Sequence, residues 1–88
     1  MLYIYNVNKE IIYNRIQVLR VEKDLSRKEL ADIVGVNAQT IGYLEREEYN
    51  PSLLLAFKIC SVFDLPVEKV FSRSPLKPLS EELKNLGS

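Results

Sequence analysis

The sequence predicts an all-α domain of five helices, and three observations support this fold class. Apolar residues recur three and four positions apart in several separate segments, as they do on the buried face of a helix. Residues that stop or start helices stand between these segments, such as Gly35, the pair Asn50 and Pro51, and Pro66. The 88 residues, 47% of them hydrophobic and 27% charged, suit one small globular domain. The expected divisions are an N-terminal arm or strand at 1–8, a helical domain at 9–72 and a C-terminal tail at 73–88.

Residues 27–46 predict two short helices joined by a tight turn. Ser26 and Glu29 have the spacing of a capping box, which marks the start of the first of these helices. Gly35 ends it, because glycine most easily takes the left-handed conformation found at helix ends. Asn37 is then a suitable N-cap for the second helix. The pattern is that of a helix-turn-helix.

The remaining helices are bounded by similar signals. Asn8 can cap a first helix at about 9–23, and Ser52 can cap the fourth helix. Pro66 begins a short fifth helix that is expected to extend through Phe71. The core stripe of the fourth helix is predicted to consist of Leu53, Ala56, Ile59, Cys60 and Phe63.

The N-terminal residues 1–7 allow two interpretations. They are rich in β-branched and aromatic side chains and could form a short strand. Such a strand needs a partner, which would be the similar stretch 70–73 or the same segment of a second subunit. The alternative is that these residues are the frayed start of the first helix.

Composition excludes several classes of function. The chain has no histidine, so no serine or cysteine has an imidazole to activate it, and with Cys60 as its single cysteine it has no plausible zinc site. We therefore expect no enzyme activity, no metal and no cofactor. No apolar run reaches the length of a membrane span and no signal-peptide pattern is present, so we expect no membrane association. A lone cysteine fits the reducing environment of the cytoplasm.

The outward face of the third helix, expected at about 38–46, carries side chains that a core does not require. A helix with a packed back and small, hydrogen-bonding or aromatic groups outward suits the major groove of DNA. The twelve basic and twelve acidic residues cancel, which counts mildly against nucleic-acid binding, so we expect a local basic rim. Two alternatives involve no DNA: Gln39 is an ordinary solvated side chain, and Tyr43 covers the fourth helix. The predicted base contacts are Ala38, Gln39, Gly42 and Tyr43.

Four blocks in this order and spacing resemble the Cro and phage-repressor family of helix-turn-helix proteins. The blocks are NRIQVLR, LSRKELADIVGVNAQTIGYLE, YNPSLLLAFKI and VEKVF, within about 14–71. The resemblance implies a five-helix, repressor-like DNA-binding domain. It also implies a transcriptional regulator, expected to be a repressor, that binds double-stranded operator DNA as a two-fold homodimer.

The resemblance also assigns roles to residues around the predicted reading face. It implies a buried ion pair between Arg20 on the first helix and Glu45 at the end of the third. A phosphate partner for Arg27 is favoured because a cation is poorly placed at a helix N-terminus. The phosphate contacts expected in this way are Arg27, Asn37, Thr40, Arg46, Tyr49 and Asn50.

Two departures from the family pattern concern the same face. The family usually has an asparagine-glycine-lysine turn after the third helix, whereas this chain has Arg46, Glu47 and Glu48. A glycine suited to a left-handed cap is therefore missing, and two carboxylates stand where phosphates would approach. Ala38 replaces a common arginine or glutamine and offers only an apolar contact, such as one to a thymine methyl group.

Apolar residues exceed what one small core requires, which predicts a second contact surface. The expected homodimer interface consists of Leu54, Phe57, Leu65, Val67, Val70 and Phe71. The same excess, together with the neutral charge, supports an alternative function: a protein-interaction module, such as an antitoxin or a co-regulator, with a protein partner.

Overall fold

The chain is described over residues 10–78 in a computed structural model, and this part contains five helices and one two-stranded sheet. The predicted all-α, five-helix fold class is confirmed. The elements in chain order are β1 (Tyr13–Asn14), α1 (Ile16–Glu22), α2 (Arg27–Val34), α3 (Ala38–Glu45), α4 (Leu53–Phe63), α5 (Val67–Val70) and β2 (Phe71–Ser72). Within these residues no helix has both the length and the apolar character needed to cross a membrane.

Short-range hydrogen bonds fix the helix ends in the central segment. The Ser26 hydroxyl oxygen accepts from the Glu29 backbone N–H at 2.9 Å, and the Glu29 carboxylate accepts from the Ser26 N–H at 2.8 Å. This capping box lowers the pKa of the Glu29 carboxyl, chiefly through the Ser26 backbone N–H. Gly35 takes a left-handed φ of 81° and ends α2. Asn37 caps α3 by accepting from the Thr40 N–H at 2.9 Å. All three predicted signals are confirmed.

One hydrophobic core receives side chains from every helix. Ala31 lies at the centre of α2 and is 1% exposed, so its small side chain lets α3 pack closely against α2. This packing fixes the back of α3 and leaves its other face outward. The largest fully buried side chains are Ile16, Leu30, Ile41, Leu44, Ile59 and Val70.

The first helix begins at Ile16, so its predicted start near residue 9 is wrong. Asn14 and Tyr13 are extended and pair antiparallel with Phe71 and Ser72. The Asn14 side-chain oxygen also accepts from the Ile16 N–H at 3.0 Å, which occupies a donor at the helix start. The stretch that was expected to pair with residues 1–7 thus pairs with β1. Residues 1–9, including the predicted strand and the Asn8 cap, lie outside the described residues.

The buried stripe of α4 is rotated from the predicted one. Leu55 is buried, whereas Leu53 is 68% exposed. At 100° per residue, Leu53 lies roughly a quarter-turn from the centre of the stripe, at the edge of the core. The fifth helix is also shorter than predicted, because Phe71 leaves it to enter β2. The stripe consists of Leu55, Ala56, Ile59, Cys60 and Phe63.

Candidate nucleic-acid interface

The outward face of α3 forms a surface groove of about 340 Å³. Its back is anchored by Ile41 and Leu44, which are completely buried in the core. The helix that forms the groove therefore cannot move without disturbing the core. It brings together all four predicted base contacts and two of the predicted phosphate contacts: Arg27, Ala38, Gln39, Gly42, Tyr43 and Arg46.

Arg46 lies back across this groove, an arrangement that its predicted phosphate contact does not imply. A Cβ atom on Gly42 would stand 3.2 Å from Arg46 Nη1, so the guanidinium covers the glycine backbone. The Arg46 Cζ is 5.2 Å from the centre of the Tyr43 ring, within range of a cation–π contact. Arg46 Nε donates to Glu48 Oε1 at 3.1 Å. Gly42 is therefore buried rather than presented to a base, and its missing side chain makes room for the arginine.

The expected ion pair between α1 and α3 is formed and has a third member. Arg20 Nε lies 2.7 Å from Glu45 Oε2, and the Glu45 side chain is 1% exposed. Arg20 Nη1 also donates to the Leu25 carbonyl at 2.8 Å. The other Glu45 oxygen accepts from Arg27 Nε at 2.9 Å. Two cations share one buried carboxylate, so this cluster carries a net positive charge at the edge of the groove.

Arg27 thus has a protein partner as well as an exposed position. Its side chain is 45% exposed, and the bond to Glu45 uses only Nε. The sequence signal for the contact between Arg27 and Glu45 is the position of Arg27 at a helix N-terminus, where a cation needs a neighbouring anion. From the sequence this position favours a phosphate partner, whereas in the structure Glu45 supplies the anion.

The turn after α3 directs its two carboxylates toward protein donors. Glu47 takes a left-handed φ of 63° without being glycine. Its carboxylate accepts from the Asn14 N–H at 3.3 Å, while the Asn14 side-chain NH₂ donates to the Leu44 carbonyl at 2.7 Å. Glu48 is paired with Arg46. The acidic departure from the family turn is therefore accommodated within the fold.

Comparison with known proteins assigns the chain to a family. A family model described as helix-turn-helix matches residues 16–70, which is more than half of the chain. The chain belongs to this helix-turn-helix family. The uncharacterised HTH-type transcriptional regulator YgzD of Bacillus subtilis is 43% identical over 58 residues, which are 66% of this chain and 88% of that protein.

Two further comparisons agree with this assignment. The cryptic phage CTXphi transcriptional repressor RstR of Vibrio cholerae is 31% identical over 72 residues, which are 82% of this chain and 64% of that protein. The crystal structure of the restriction-modification controller protein C.AhdI of Aeromonas hydrophila matches with a TM-score of 0.57 and 30% identity, covering 61% of this chain and 82% of that one. The resemblance to Cro and phage repressors is confirmed, and the chain is a DNA-binding regulator rather than an enzyme.

The other predicted phosphate contacts of this helix-turn-helix regulator lie at the two ends of α3. Asn37 and Thr40 stand at its N-terminus, where the Asn37 oxygen also accepts from the Thr40 hydroxyl at 3.1 Å. Tyr49 and Asn50 lie exposed in the turn that follows α3. The Asn50 oxygen accepts from the Ile12 N–H at 3.1 Å, which leaves its NH₂ group pointing away from that bond. Polar groups are therefore present at the start of α3 and in the turn that follows it.

Within the described part of the chain, the titratable groups away from the groove offer no second site. Cys60 is buried in the core, and this burial raises the pKa of its thiol, so it packs as a small hydrophobic residue. Among residues 10–78 no cluster of histidine, cysteine, aspartate or glutamate has the arrangement to hold a metal ion.

The six residues predicted for a dimer interface divide into two groups. Val70 and Phe71 are buried in the core of one chain, so their assignment to an interface is wrong. The reason is that α5 has only one turn, and its inward side chains are taken up by the core. Leu54 and Phe57 are exposed, and Leu65 and Val67 are partly buried and pack against the core.

Proposed function

We propose that this helix-turn-helix regulator is a sequence-specific transcriptional repressor that binds a two-fold operator as a homodimer. The observation that carries the proposal is the groove on α3. It gathers the predicted reading residues on one outward face, while Ile41 and Leu44 anchor the opposite face. A rigid helix that presents such a face is what the major groove admits. Binding to chromosomal operators implies a cytoplasmic location.

Base contacts would come from the first turn of α3 and from its outward aromatic residue. The Gln39 amide can donate to N7 and accept from N6 of adenine in the pairing that its geometry favours, and the Ala38 methyl group can contact a thymine methyl group. Tyr43 is half exposed in the groove and can pack on a base or a sugar. Phosphate contacts would come from Arg27 in the groove and from residues near the two ends of α3: Asn37, Thr40, Tyr49 and Asn50.

Dimer formation would use the outer face of α4. Leu53, Leu54 and Phe57 are all at least half exposed, and together they form an apolar patch that we call the α4 patch. Two protomers related by a two-fold axis would place their α3 helices about one DNA turn, or roughly 34 Å, apart. The repressor role rests on the similarity to RstR.

Selection of bound duplexes from a random pool, followed by salt titrations, tests this function. We expect Gln39→Ala to lose about 1–3 kcal/mol of binding free energy on the selected site and to relax preference mainly at one base pair. Arg27→Ala should weaken binding to all duplexes alike and lower the salt slope by about 1. Thermal unfolding of Arg27→Ala is the control for its bond to Glu45. Failure to enrich any sequence would contradict the proposal.

The alternative function, a protein-interaction module, is favoured by two observations. The net charge is zero, and the α4 patch is exposed. The same titration separates the two functions. A module that contacts only a protein should show no binding to duplex DNA at low salt, where phosphate contacts are strongest.

A further inference from the structure

We infer that Arg46 is a specificity-determining residue that reads a guanine base in the major groove. This inference rests on the proposed function and goes beyond it, because sequence reasoning placed Arg46 on a phosphate. It also explains why Gly42 and Glu48 stand next to it.

The first step is the position of the guanidinium. Ala38, Gly42 and Arg46 follow one another at four-residue spacing, so they lie along one line on the outward face of α3. Helical side chains lean toward the N-terminus, which carries a long side chain at 46 back over position 42. The 3.2 Å separation between Nη1 and a Cβ built on Gly42 shows that the guanidinium occupies this place. The arginine therefore ends at the middle of the groove.

The second step is the orientation of the guanidinium. The Tyr43 ring supports it at 5.2 Å, and Glu48 accepts from its Nε at 3.1 Å. With Nε bound to Glu48, the two terminal nitrogens form the fork that is directed to a ligand. The Arg46 side chain is 52% exposed, so this fork is accessible. A fork of two parallel donors matches the O6 and N7 acceptors of guanine.

The third step is the choice between a base and a phosphate. Ala38 and Gly42 are too short to reach a base edge by hydrogen bonding, so Arg46 is the residue on this line that can read one. Glu48 offsets the charge of Arg46, which weakens its attraction to a phosphate in general but leaves both terminal donors available. Arg27 begins α2, the first helix of the motif, which crosses the DNA backbone, so it is better placed for a phosphate. The arrangement therefore favours guanine.

The test begins with the selected operator and removes single acceptor atoms from it. Replacing a guanine by 7-deazaguanine removes N7 while the base pair is retained. Inosine keeps both O6 and N7 and lacks only an amino group in the minor groove. At one guanine per half-site, we expect 7-deazaguanine to weaken wild-type binding several-fold and inosine to change it little. Exchange of that G·C pair for A·T should cost about 5- to 150-fold, which corresponds to 1–3 kcal/mol of discrimination per bidentate pair.

Protein variants then connect this penalty to Arg46. In Arg46→Ala the 7-deazaguanine penalty should vanish, and the salt slope should stay close to that of the wild type. Gly42→Ala should reduce the same penalty, because the added methyl group meets the guanidinium, although alanine suits a helix better than glycine. Arg27→Ala is the matched control: it should keep the full penalty and lower the salt slope by about 0.9.

Two results would overturn the inference. One is a 7-deazaguanine penalty of the same size in the wild type and in Arg46→Ala. The other is a salt slope lowered by about 0.9 in Arg46→Ala with unchanged base preference, which would mean a phosphate contact. Both differ from failure of the proposed function, in which the wild-type protein selects no operator at all.

Discussion

The two ends of α3 are held in place by different kinds of contact. At its N-terminus, the cap from Asn37 to Thr40 joins residues only three positions apart. At its C-terminus, the Leu44 carbonyl is bonded to Asn14, thirty residues away, and the Glu45 carboxylate is bonded to Arg20, twenty-five residues away. One end of α3 is therefore fixed by its own sequence and the other by remote segments.

This difference predicts which substitutions should affect the groove as a whole. A local cap stabilises the start of a helix whether or not the rest of the fold is present. A remote bond forms only when β1, α1 and α3 are assembled, so its loss should weaken the assembly itself. The orientation of Arg46 and Tyr43, which lie near the C-terminal end of α3, should depend mainly on the remote bonds.

The largest effect is expected from removing Glu45, the acceptor that joins α1, α2 and α3. Glu45→Ala leaves the buried Arg20 without its counter-ion, and we expect a loss of about 3 kcal/mol in the free energy of unfolding. The double variant Arg20→Met with Glu45→Leu should lose much less, because no buried charge remains. Urea unfolding of the wild type, Arg20→Met, Glu45→Leu and the double variant gives the coupling energy.

Additive losses in this double-mutant cycle would contradict the interaction. Arg27→Ala serves as the control for the third member of the cluster. Its side chain is nearly half exposed, so the pair that it forms is screened by water, and its removal should cost less than about 1 kcal/mol.

An intermediate effect is expected from comparing two asparagines, one with remote bonds and one with a local bond. Asn14→Ala removes the donor to the Leu44 carbonyl and the acceptor for the Ile16 N–H, and should cost about 2 kcal/mol. Asn37→Ala removes a helix N-cap and should cost about 1 kcal/mol. Both are measured by urea unfolding, with exposed Gln17→Ala on α1 as a control expected to change stability by less than about 0.5 kcal/mol.

Equal losses for the two asparagines would remove the distinction between local and remote support. A second measurement tests the same distinction. Backbone amide exchange near Tyr43 and Arg46 should accelerate in Asn14→Ala, whereas in Asn37→Ala the acceleration should be confined to the first turn of α3.

Local signals explain how much of the fold could be predicted. Ser26, Gly35 and Asn37 act within three or four residues, so a single stretch of sequence contains both partners of each bond. The start of α1 was missed because Asn14 is held by remote residues, Leu44 at the end of α3 and Glu47 in the turn that follows it. Leu53 was wrongly assigned to the buried stripe of α4, because hydrophobic periodicity locates the stripe but not the edge of the core.

The distinction between local and remote contacts also explains which parts of the candidate site could be predicted. The outward position of Gln39 and Tyr43 follows from the spacing within one helix, and the structure places both in the groove. The ion pair of Arg20 and Glu45 came from the family resemblance. The position of Arg46 over Gly42 depends on side-chain direction rather than on residue type, so helical spacing alone placed Gly42 among the four predicted base contacts.

The smallest effect is expected at Glu47, where two opposing terms nearly cancel. Glu47 adopts a left-handed backbone, which disfavours a non-glycine residue by about 1 kcal/mol. Its carboxylate also accepts the Asn14 N–H, a bond of 3.3 Å that should contribute about 1 kcal/mol. Glu47→Gly loses the bond and relieves the backbone, so we expect a change within about 0.5 kcal/mol. Glu47→Ala loses the bond without relieving the backbone and should cost about 1 kcal/mol. Both variants are measured by urea unfolding. Equal free energies of unfolding for the two variants would show that the left-handed backbone has no cost.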